Sequence, residues 1–153
     1  MSIVWRVANE RYPPLDGEGA RLAGGRWNSP GRPAVYTSES LALCLAESLV
    51  HITGSLPISY VRFKIEIPDD ATEYVDLTKL KSGWKEDLIY TRRIGDRWLR
   101  DRRSLALAVP SVVLAESINV ILNPLHPRGA ELRVIDQQPF TFDPRLRPKT
   151  QGE

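Results

Sequence analysis

Hydrophobic and polar residues alternate in several short stretches of this chain, a pattern typical of β-strands with one buried face. The clearest stretch runs from Ile58 to Ile67, where Arg62, Lys64 and Glu66 are expected to point away from the apolar face. Shorter apolar or alternating segments predict further strands at residues 3–7, 34–36, 73–77, 105–114, 119–122, 132–135 and 140–142. The chain is therefore expected to be rich in short strands.

The segment from about Glu39 to Ile52 has instead the period of an amphipathic helix with one broad apolar face. Thr37 or Ser38 is predicted to cap its first turn, and Gly54 to lie beyond its end. One carboxylate, Glu47, falls at the border of the apolar face and is expected to be partly desolvated. Because burying a carboxylate costs free energy unless it is paired, Glu47 is either tied to an arginine for structure or kept for function.

The remaining pattern and the composition indicate a single domain. A second helix is predicted over residues 87–98, with a glycine at position 95 interrupting it. The chain has 153 residues, of which 42% are hydrophobic, and this is enough for one buried core. We therefore predict one α+β domain over residues 1–143, followed by a polar, proline-rich and flexible tail over residues 144–153.

Several classes of protein are disfavoured by residue counts. The single cysteine, Cys44, excludes an internal disulfide, and His51 and His126 lie too far apart to suggest a metal site. The chain shows no secretory leader and no apolar run long enough to cross a membrane. A cytoplasmic protein without a metal is the expectation.

Six arginines are concentrated between Arg92 and Arg103. Such a run is one way to bind nucleic acid, but Asp96 and Asp101 interrupt it and the net charge of the chain is only +2. A solvated helix face, or a docking surface for an acidic partner, is the favoured interpretation. Nucleic-acid binding through this segment stays open as an alternative.

Two arginines are candidates for binding an anion. Arg26 follows the pair Gly24 and Gly25, which leave room near the main chain, and its guanidinium can grip a phosphate at two points. Arg6 lies among apolar residues of the first predicted strand. Each also has a plain alternative, because Arg26 can be a surface ion-pair residue and Arg6 can extend from a sheet edge.

A tyrosine and a serine complete the candidate chemistry. Tyr36, at the predicted end of a short strand, can stack on a ligand ring or simply belong to the core. Ser111 follows the strand-breaking Pro110 and can donate to a phosphate or a ribose. No Gly-x-Ser-x-Gly turn surrounds it, so it is not a protease-type nucleophile.

Several separated motifs, in order along the chain, resemble the RES-domain family of bacterial toxins. They are WRV near the start, GEGARLAGGRWN, VYTSES, IGDRWL, VPSVV and NVILNPLHP. The resemblance extends from about Val4 to Phe142. It implies a fold similar to the ADP-ribosyltransferase toxins, with a split, mostly antiparallel β-sheet core, flanking helices and an NAD cleft.

The resemblance also implies an activity on NAD⁺. Family members act as NAD⁺ phosphorylases, in which inorganic phosphate displaces nicotinamide and leaves ADP-ribose 1″-phosphate, and NAD⁺ is a substrate rather than a cofactor. A related member is assigned protein ADP-ribosyl transfer. Transfer to a protein and hydrolysis of NAD⁺ by water are therefore the alternatives within the same site.

By motif position the resemblance assigns five site residues. Arg26, Tyr36 and Glu47 are the expected catalytic residues, and Arg6, Arg26, Tyr36 and Ser111 are expected to bind substrate. Glu47 would stabilise the positive charge that develops on the ribose, or hold the ribose hydroxyls, and Tyr36 would stack near the nicotinamide or its ribose. Arg6, Arg26 and Ser111 would hold phosphate groups.

The resemblance finally implies a partner, an Xre-type antitoxin encoded alongside the toxin. Its C-terminal segment is expected to block the cleft, and the exposed arginines between Arg92 and Arg103 are expected to help it dock. We expect neither a membrane nor direct nucleic-acid contact by this chain alone.

Overall fold

Seven strands form one mixed sheet in the computed structural model, which describes residues 1–147. The strands are β1 Ser2–Asn9, β2 Val35–Ser38, β3 Tyr60–Ile67, β4 Thr72–Tyr74, β5 Ala106–Pro110, β6 Ile118–Leu122 and β7 Arg133–Phe140. Their order in the sheet is β4-β5-β6-β2-β1-β3-β7. Only β4 and β5 are parallel, and every other neighbouring pair is antiparallel.

Within residues 1–147, three α-helices and four short 3₁₀ turns flank the sheet. The helices are α1 Glu18–Ala23, α2 Leu41–Leu49 and α3 Leu88–Asp101, and the turns are Leu77–Lys79, Trp84–Glu86, Gly129–Glu131 and Pro144–Leu146. One apolar core packs around Val35 and Ile65, and a second packs around Trp27 and Trp98. Neighbouring residues of the same strand contribute to different cores. Because adjacent residues of a strand point to opposite faces, the two cores lie on opposite sides of the sheet.

The sheet is split between β1 and β2. β1 pairs with β3 along its whole length, whereas its pairing with β2 is limited to Trp5 opposite Ser38. Beyond that position the two strands diverge, and the sheet opens. The prediction of an α+β fold with a split, mostly antiparallel sheet and flanking helices is confirmed.

The start of α2 differs from the sequence prediction. β2 continues through Thr37 and Ser38, which pair with β6, so neither residue can cap the helix. Ser40 is the N-cap, and its side chain accepts a hydrogen bond from the Leu43 amide at 3.1 Å. The helix also ends earlier than predicted, at Leu49.

Other boundaries differ as well. The irregular connection predicted over residues 12–19 contains the start of α1. The strands predicted at 132–135 and 140–142 are one strand, β7, because it lies at the sheet edge, where Pro139 interrupts no required hydrogen bond. The strands predicted at 73–77 and 105–114 are shorter, and the predicted tail at 144–153 lies mostly outside the described residues.

Candidate active site

Arg6 reaches across the split in the sheet. Its Nη1 atom donates to the main-chain oxygen of Tyr36 at 3.2 Å, so a side chain bridges the strands where their main chains no longer pair. Its Nε atom is buried and has no hydrogen-bond partner among residues 1–147. Burial lowers the pKa of Arg6, while the nearby Cys44 and Asp16 act in the opposite direction. A buried guanidinium that still has a donor without a partner is suited to binding an anion.

Glu47 projects from α2 towards β6 and the loop after β5. One carboxylate oxygen, Oε1, accepts from the Ser111 hydroxyl at 2.7 Å and from the Asn119 side-chain amide at 2.6 Å. The other, Oε2, receives no hydrogen bond from residues 1–147, and no cation of these residues forms an ion pair with Glu47. This half-buried carboxylate is therefore held by neutral donors on one side and open on the other.

Ser111 is buried, with 1% of its surface exposed, and its hydroxyl is fully engaged. It donates to Glu47 and accepts from the main-chain amides of Val113 and Leu114 at 3.1 and 3.0 Å. Donation to a phosphate or ribose would require the bond to Glu47 to break. The substrate-binding role of Ser111 stays a prediction, and the contact present in the structure is with the carboxylate.

Tyr36 fastens the glycine-rich loop to β2. Its hydroxyl donates to Asn28 Oδ1 at 2.7 Å and accepts from the Trp27 amide at 2.9 Å. Burial raises the pKa of Tyr36 above its usual range, so the hydroxyl is neutral. A Cβ atom on Gly25 would lie 2.6 Å from the ring, which explains the glycine. Stacking on nicotinamide stays a prediction.

The room next to the two glycines is thus occupied by the chain itself. A Cβ atom on Gly24 would lie 2.7 Å from Arg92 Nη2, and Arg92 Nε donates to the Gly25 oxygen at 2.9 Å. The sequence analysis expected a ligand to approach here. The glycines instead let Tyr36 and Arg92 pack against the main chain.

Arg26 lies in the loop that Tyr36 fastens. Its Nη1 atom donates to the main-chain oxygen of Lys85 at 2.8 Å, and its own carbonyl accepts from Thr91 of α3 at 2.7 Å. No carboxylate of residues 1–147 forms an ion pair with it. The remaining donors of this half-buried guanidinium make no hydrogen bond to those residues.

Hydrogen bonds and strand pairing link four of the five predicted site residues in a series around the split. Tyr36 and Ser38 point to the same face of β2 about 7 Å apart, as residues two apart on a strand do. Asn119 lies opposite Ser38 on β6 and binds Glu47, which also binds Ser111. Arg6 contacts the main chain of Tyr36, while Arg26 is linked to the group only through the neighbouring residue of its loop.

Two functional candidates, Ser38 and Asn119, were missed by the sequence analysis. Ser38 was considered only as a helix cap, and Asn119 only as a strand residue and as part of a family motif. One signal was present, because asparagine is disfavoured in strand interiors. An asparagine inside an otherwise apolar strand therefore needs a reason, and the Glu47 carboxylate supplies one.

Cys44 lies near two charged residues of the site, Arg6 and Glu47. Its thiol donates to the Trp5 main-chain oxygen at 3.3 Å. Burial raises the pKa of Cys44 to about 11, with Arg6 lowering and Glu47 raising it to smaller extents. Both charged side chains therefore lie within electrostatic reach of one buried atom.

Two cavities on the described part of the chain have linings that include none of the five predicted site residues. The larger, about 540 Å³, is lined by residues 10–14, by Val61 and Phe63 of β3 and by residues 137–139 of β7. The smaller, about 130 Å³, lies at the ends of β4, β5 and β6, and its lining includes Pro110 and Ile118, the neighbours of Ser111 and Asn119.

The arginine-rich segment does not form one uniform basic face. Arg92 binds the glycine loop, Arg100 pairs with Asp101 at 3.2 Å, and Arg103 pairs with Glu73 at 2.8 Å. Arg93 and Arg97 are exposed on α3. The basic surface that remains is small for a nucleic-acid site, because such sites rely on continuous positive charge.

Neither a metal cluster nor a membrane span emerges from the described part of the chain. Residues 1–147 contain no group of three or more His, Cys, Asp or Glu side chains placed to hold a metal ion. None of the helices in that range is long and apolar enough to cross a bilayer.

The fold and site together define a small α+β protein whose sheet opens beside an arginine and a fixed carboxylate. The sequence matches the RES domain over residues 3–143, and the chain belongs to that family. This confirms the resemblance drawn from the motifs.

Named relatives match along nearly their whole length. The Prs ADP-ribosylating toxin of Sphingobium sp. (strain YBL2) is 32% identical, covering 93% of this chain and 94% of that protein. Toxin Res of Pseudomonas putida is 35% identical over 94% of this chain and 99% of that protein. The crystal structure of the M. tuberculosis MbcT–MbcA toxin–antitoxin complex has a similar fold, with a TM-score of 0.74, 20% identity, and coverage of 95% of this chain and 86% of that one.

Proposed function

We propose that this chain is a toxin that cleaves the nicotinamide–ribose bond of NAD⁺, with inorganic phosphate as the acceptor. The observation that carries the proposal is the Glu47 carboxylate, which is fixed through Oε1 by Ser111 and Asn119 and open at Oε2. Glu47 projects from α2 beside the split in the sheet, which the Arg6 side chain bridges. The RES family and the names of the toxin relatives support a toxin that acts on NAD⁺, and phosphate as the acceptor is the finer part of the proposal.

The proposed chemistry follows from the charge that bond cleavage creates. As nicotinamide leaves with the electron pair of the bond, positive charge develops on the ribose, and a nearby carboxylate stabilises it. Glu47 supplies that carboxylate without a cation to neutralise it. Because its donors are neutral and already in place, little reorganisation is needed when the charge appears.

The two arginines supply the complementary charge. Arg6 has a buried, unpartnered Nε atom and Arg26 has free guanidinium donors, so each has capacity for a phosphate oxygen. One would hold the pyrophosphate of the dinucleotide and the other the attacking phosphate. Attack of a phosphate oxygen on the ribose carbon that nicotinamide leaves would give ADP-ribose 1″-phosphate.

A second candidate is transfer of ADP-ribose to a protein. The name of the Sphingobium relative, an ADP-ribosylating toxin, favours it. The two activities share bond cleavage and differ in which nucleophile reaches the same carbon, as does hydrolysis by water. The site residues proposed above serve all three.

We also propose a protein partner, an antitoxin that covers the split. Its support is the similarity of fold to the toxin–antitoxin complex and the relatives that are named toxins. A toxin that consumes NAD⁺ needs such control in the cell that makes it.

The test is incubation of the purified chain with NAD⁺, with and without inorganic phosphate, followed by quantification of nicotinamide and the ribosyl products. Phosphate-dependent release of nicotinamide together with ADP-ribose 1″-phosphate is the expected result. Equal release without phosphate, giving ADP-ribose, would indicate hydrolysis, and label transferred to an added protein would indicate ADP-ribosylation. No release under any of these conditions would overturn the proposal.

A further inference from the structure

We infer that Asn119 and Ser38 are positioning residues that hold Glu47 in the orientation that leaves Oε2 open to the split. The predicted effects on turnover rest on the proposed function. The orientation assigned to the Glu47 carboxylate rests on the hydrogen bonds alone.

The hydrogen bonds from β2 to α2 have a fixed direction. Ser38 Oγ donates to Asn119 Oδ1 at 2.8 Å, and Asn119 Nδ2 donates to Glu47 Oε1 at 2.6 Å. A side-chain amide accepts only at its oxygen and donates only at its nitrogen. An ionised carboxylate only accepts, so the amide turns its nitrogen to Glu47, and Ser38 then anchors the amide oxygen by donating to it. With the amide reversed, its oxygen would face Glu47 and repel it.

The two positioning residues stand on rigid elements. Ser38 and Asn119 are directly opposite each other in the β2–β6 pairing, so their side chains share one face of the sheet. β2 and β6 are interior strands with neighbours on both sides. A residue on such a strand holds a partner more precisely than a residue on a loop does.

Donors reach Oε1 from two directions. Ser111 approaches from the loop after β5, and Asn119 approaches from β6. With both bonds in place the carboxylate plane is fixed, and Oε2 points away from both donors. With only one bond the carboxylate can rotate, and a smaller share of molecules presents Oε2. The loss should appear in kcat, because the residues that bind substrate are unchanged.

The main experiment replaces Asn119 by its carboxylate isostere, Asn119→Asp. The new carboxylate keeps the hydrogen bond from Ser38 but places a second negative charge within hydrogen-bond distance of Glu47. Two such carboxylates cannot both ionise easily, so the acid limb of the kcat profile should move up by about one pH unit or more. At neutral pH kcat should fall by about tenfold or more, with KM little changed.

Ser38→Ala supplies a second variant of the same hydrogen-bond chain. It removes the donor that anchors the amide oxygen of Asn119, so kcat should fall by about threefold to tenfold without a shift of the acid limb. Thr37→Val is the matched control. Thr37 is the adjacent residue of β2 and equally buried, but its hydroxyl donates to the Val120 main-chain oxygen at 2.6 Å and does not contact Glu47 or Asn119.

A measurement that needs no turnover separates this inference from the proposed function. Carbon NMR of protein labelled at its glutamate carboxyl carbons, with the Glu47 signal identified by its loss in Glu47→Gln, follows the carboxyl titration directly. The titration midpoint should rise in Asn119→Asp and stay unchanged in Thr37→Val.

The possible outcomes distinguish failure of this inference from failure of the proposed function. An Asn119→Asp variant whose Glu47 signal titrates as in the wild type would overturn the inference, as would a Ser38→Ala variant no slower than Thr37→Val. If the wild type releases no nicotinamide, the proposed function fails. A raised NMR midpoint in Asn119→Asp would even then support the geometric role of Asn119.

Discussion

At the scale of single residues, Glu47 combines two properties that are costly together, partial burial and the lack of a cationic partner. A carboxylate kept for structure would gain from an arginine, and the chain has Arg6 near enough to influence the same thiol. The structure gives Glu47 neutral donors instead. This arrangement leaves its negative charge without a cation, which the proposed electrostatic catalysis requires.

Replacement of Glu47 by glutamine tests that requirement. Glu47→Gln removes the charge but keeps an oxygen that can accept from Ser111, so the fold should remain and kcat should fall by about 100-fold or more. Nicotinamide release at saturating NAD⁺ is the measurement. Glu39→Gln is the control, because Glu39 accepts from the Ile118 amide at 3.1 Å and glutamine can do the same. Near-normal turnover in Glu47→Gln would remove the residue from the mechanism.

Cys44 gives a prediction for stability at high pH. Burial raises the pKa of its thiol from an ordinary value of 9.0 to about 11. The unfolded chain therefore loses this proton first as the pH rises, and the stabilisation present below pH 9 is lost between pH 9 and 11. Over those two pH units the loss amounts to about 2 to 3 kcal/mol.

Unfolding by urea across this pH range, for the wild type and Cys44→Ala, is the measurement. Groups other than Cys44 titrate in both proteins, so their effects cancel in the difference. The stability difference between the two proteins should change by about 2 kcal/mol from pH 9 to pH 11 in favour of the variant. Parallel stability curves would show that the folded thiol titrates normally.

The individual site residues could be named from the sequence more easily than their contacts. Glu47 was marked by its place at the border of an apolar helix face, and Arg6 by its place in an apolar strand. The hydrogen bond between Glu47 and Ser111 joins residues that are 64 positions apart. Local spacing in the sequence cannot predict such a contact. The same limit hid Asn119, whose role exists only once β6 lies beside β2.

At the scale of elements, local signals predicted most strands and both long helices but misplaced their ends. Thr37, Ser38 and Ser40 are all chemically suitable caps for α2, and only the pairing of β2 with β6 selects Ser40. The short helix α1 was missed because it is six residues long and has no buried residue to create a periodic pattern. Tertiary contacts decide these boundaries.

Gly95 shows how a contact between elements can override helix propensity. The residue lies inside α3, where glycine is disfavoured, yet a Cβ atom there would lie 1.6 Å from the Trp27 main-chain oxygen. Gly95→Ala should therefore force α3 away from the loop that carries Arg26, at a cost of about 2 kcal/mol or more. A fall in melting temperature of about 4 to 8 °C is expected.

A matched control comes from α1. Gly19 is also helical, but a Cβ atom there would meet no atom within 4 Å. Gly19→Ala should leave stability unchanged or raise it by up to about 1 kcal/mol, since alanine is the better helix former. Thermal unfolding of both variants compares the two sites. Equal melting temperatures would mean that α3 accommodates the methyl group without moving.

At the scale of the whole molecule, the split in the sheet and the exposed arginines of α3 lie on different elements. Arg93 and Arg97 are exposed on α3, whereas most of the other arginines in the 92–103 segment are engaged within the chain. An acidic protein partner that covers the split is therefore expected to meet these two side chains at its rim. Rim charges mainly affect the rate of association, and the effect weakens as salt screens them.

Charge reversal at Arg93 or Arg97 tests this docking surface. Arg93→Glu and Arg97→Glu should each slow association with the proposed antitoxin by about threefold to tenfold at low salt, with dissociation little changed and nicotinamide release by the free chain unaffected. Arg133→Glu is the control, because Arg133 is exposed on the edge strand β7 at the opposite end of the sheet order from β4 and β5. Association that is insensitive to salt, or slowed equally by Arg133→Glu, would place the partner elsewhere. Binding of duplex DNA by the wild type, lost on the same reversals, would instead favour a nucleic-acid role for α3.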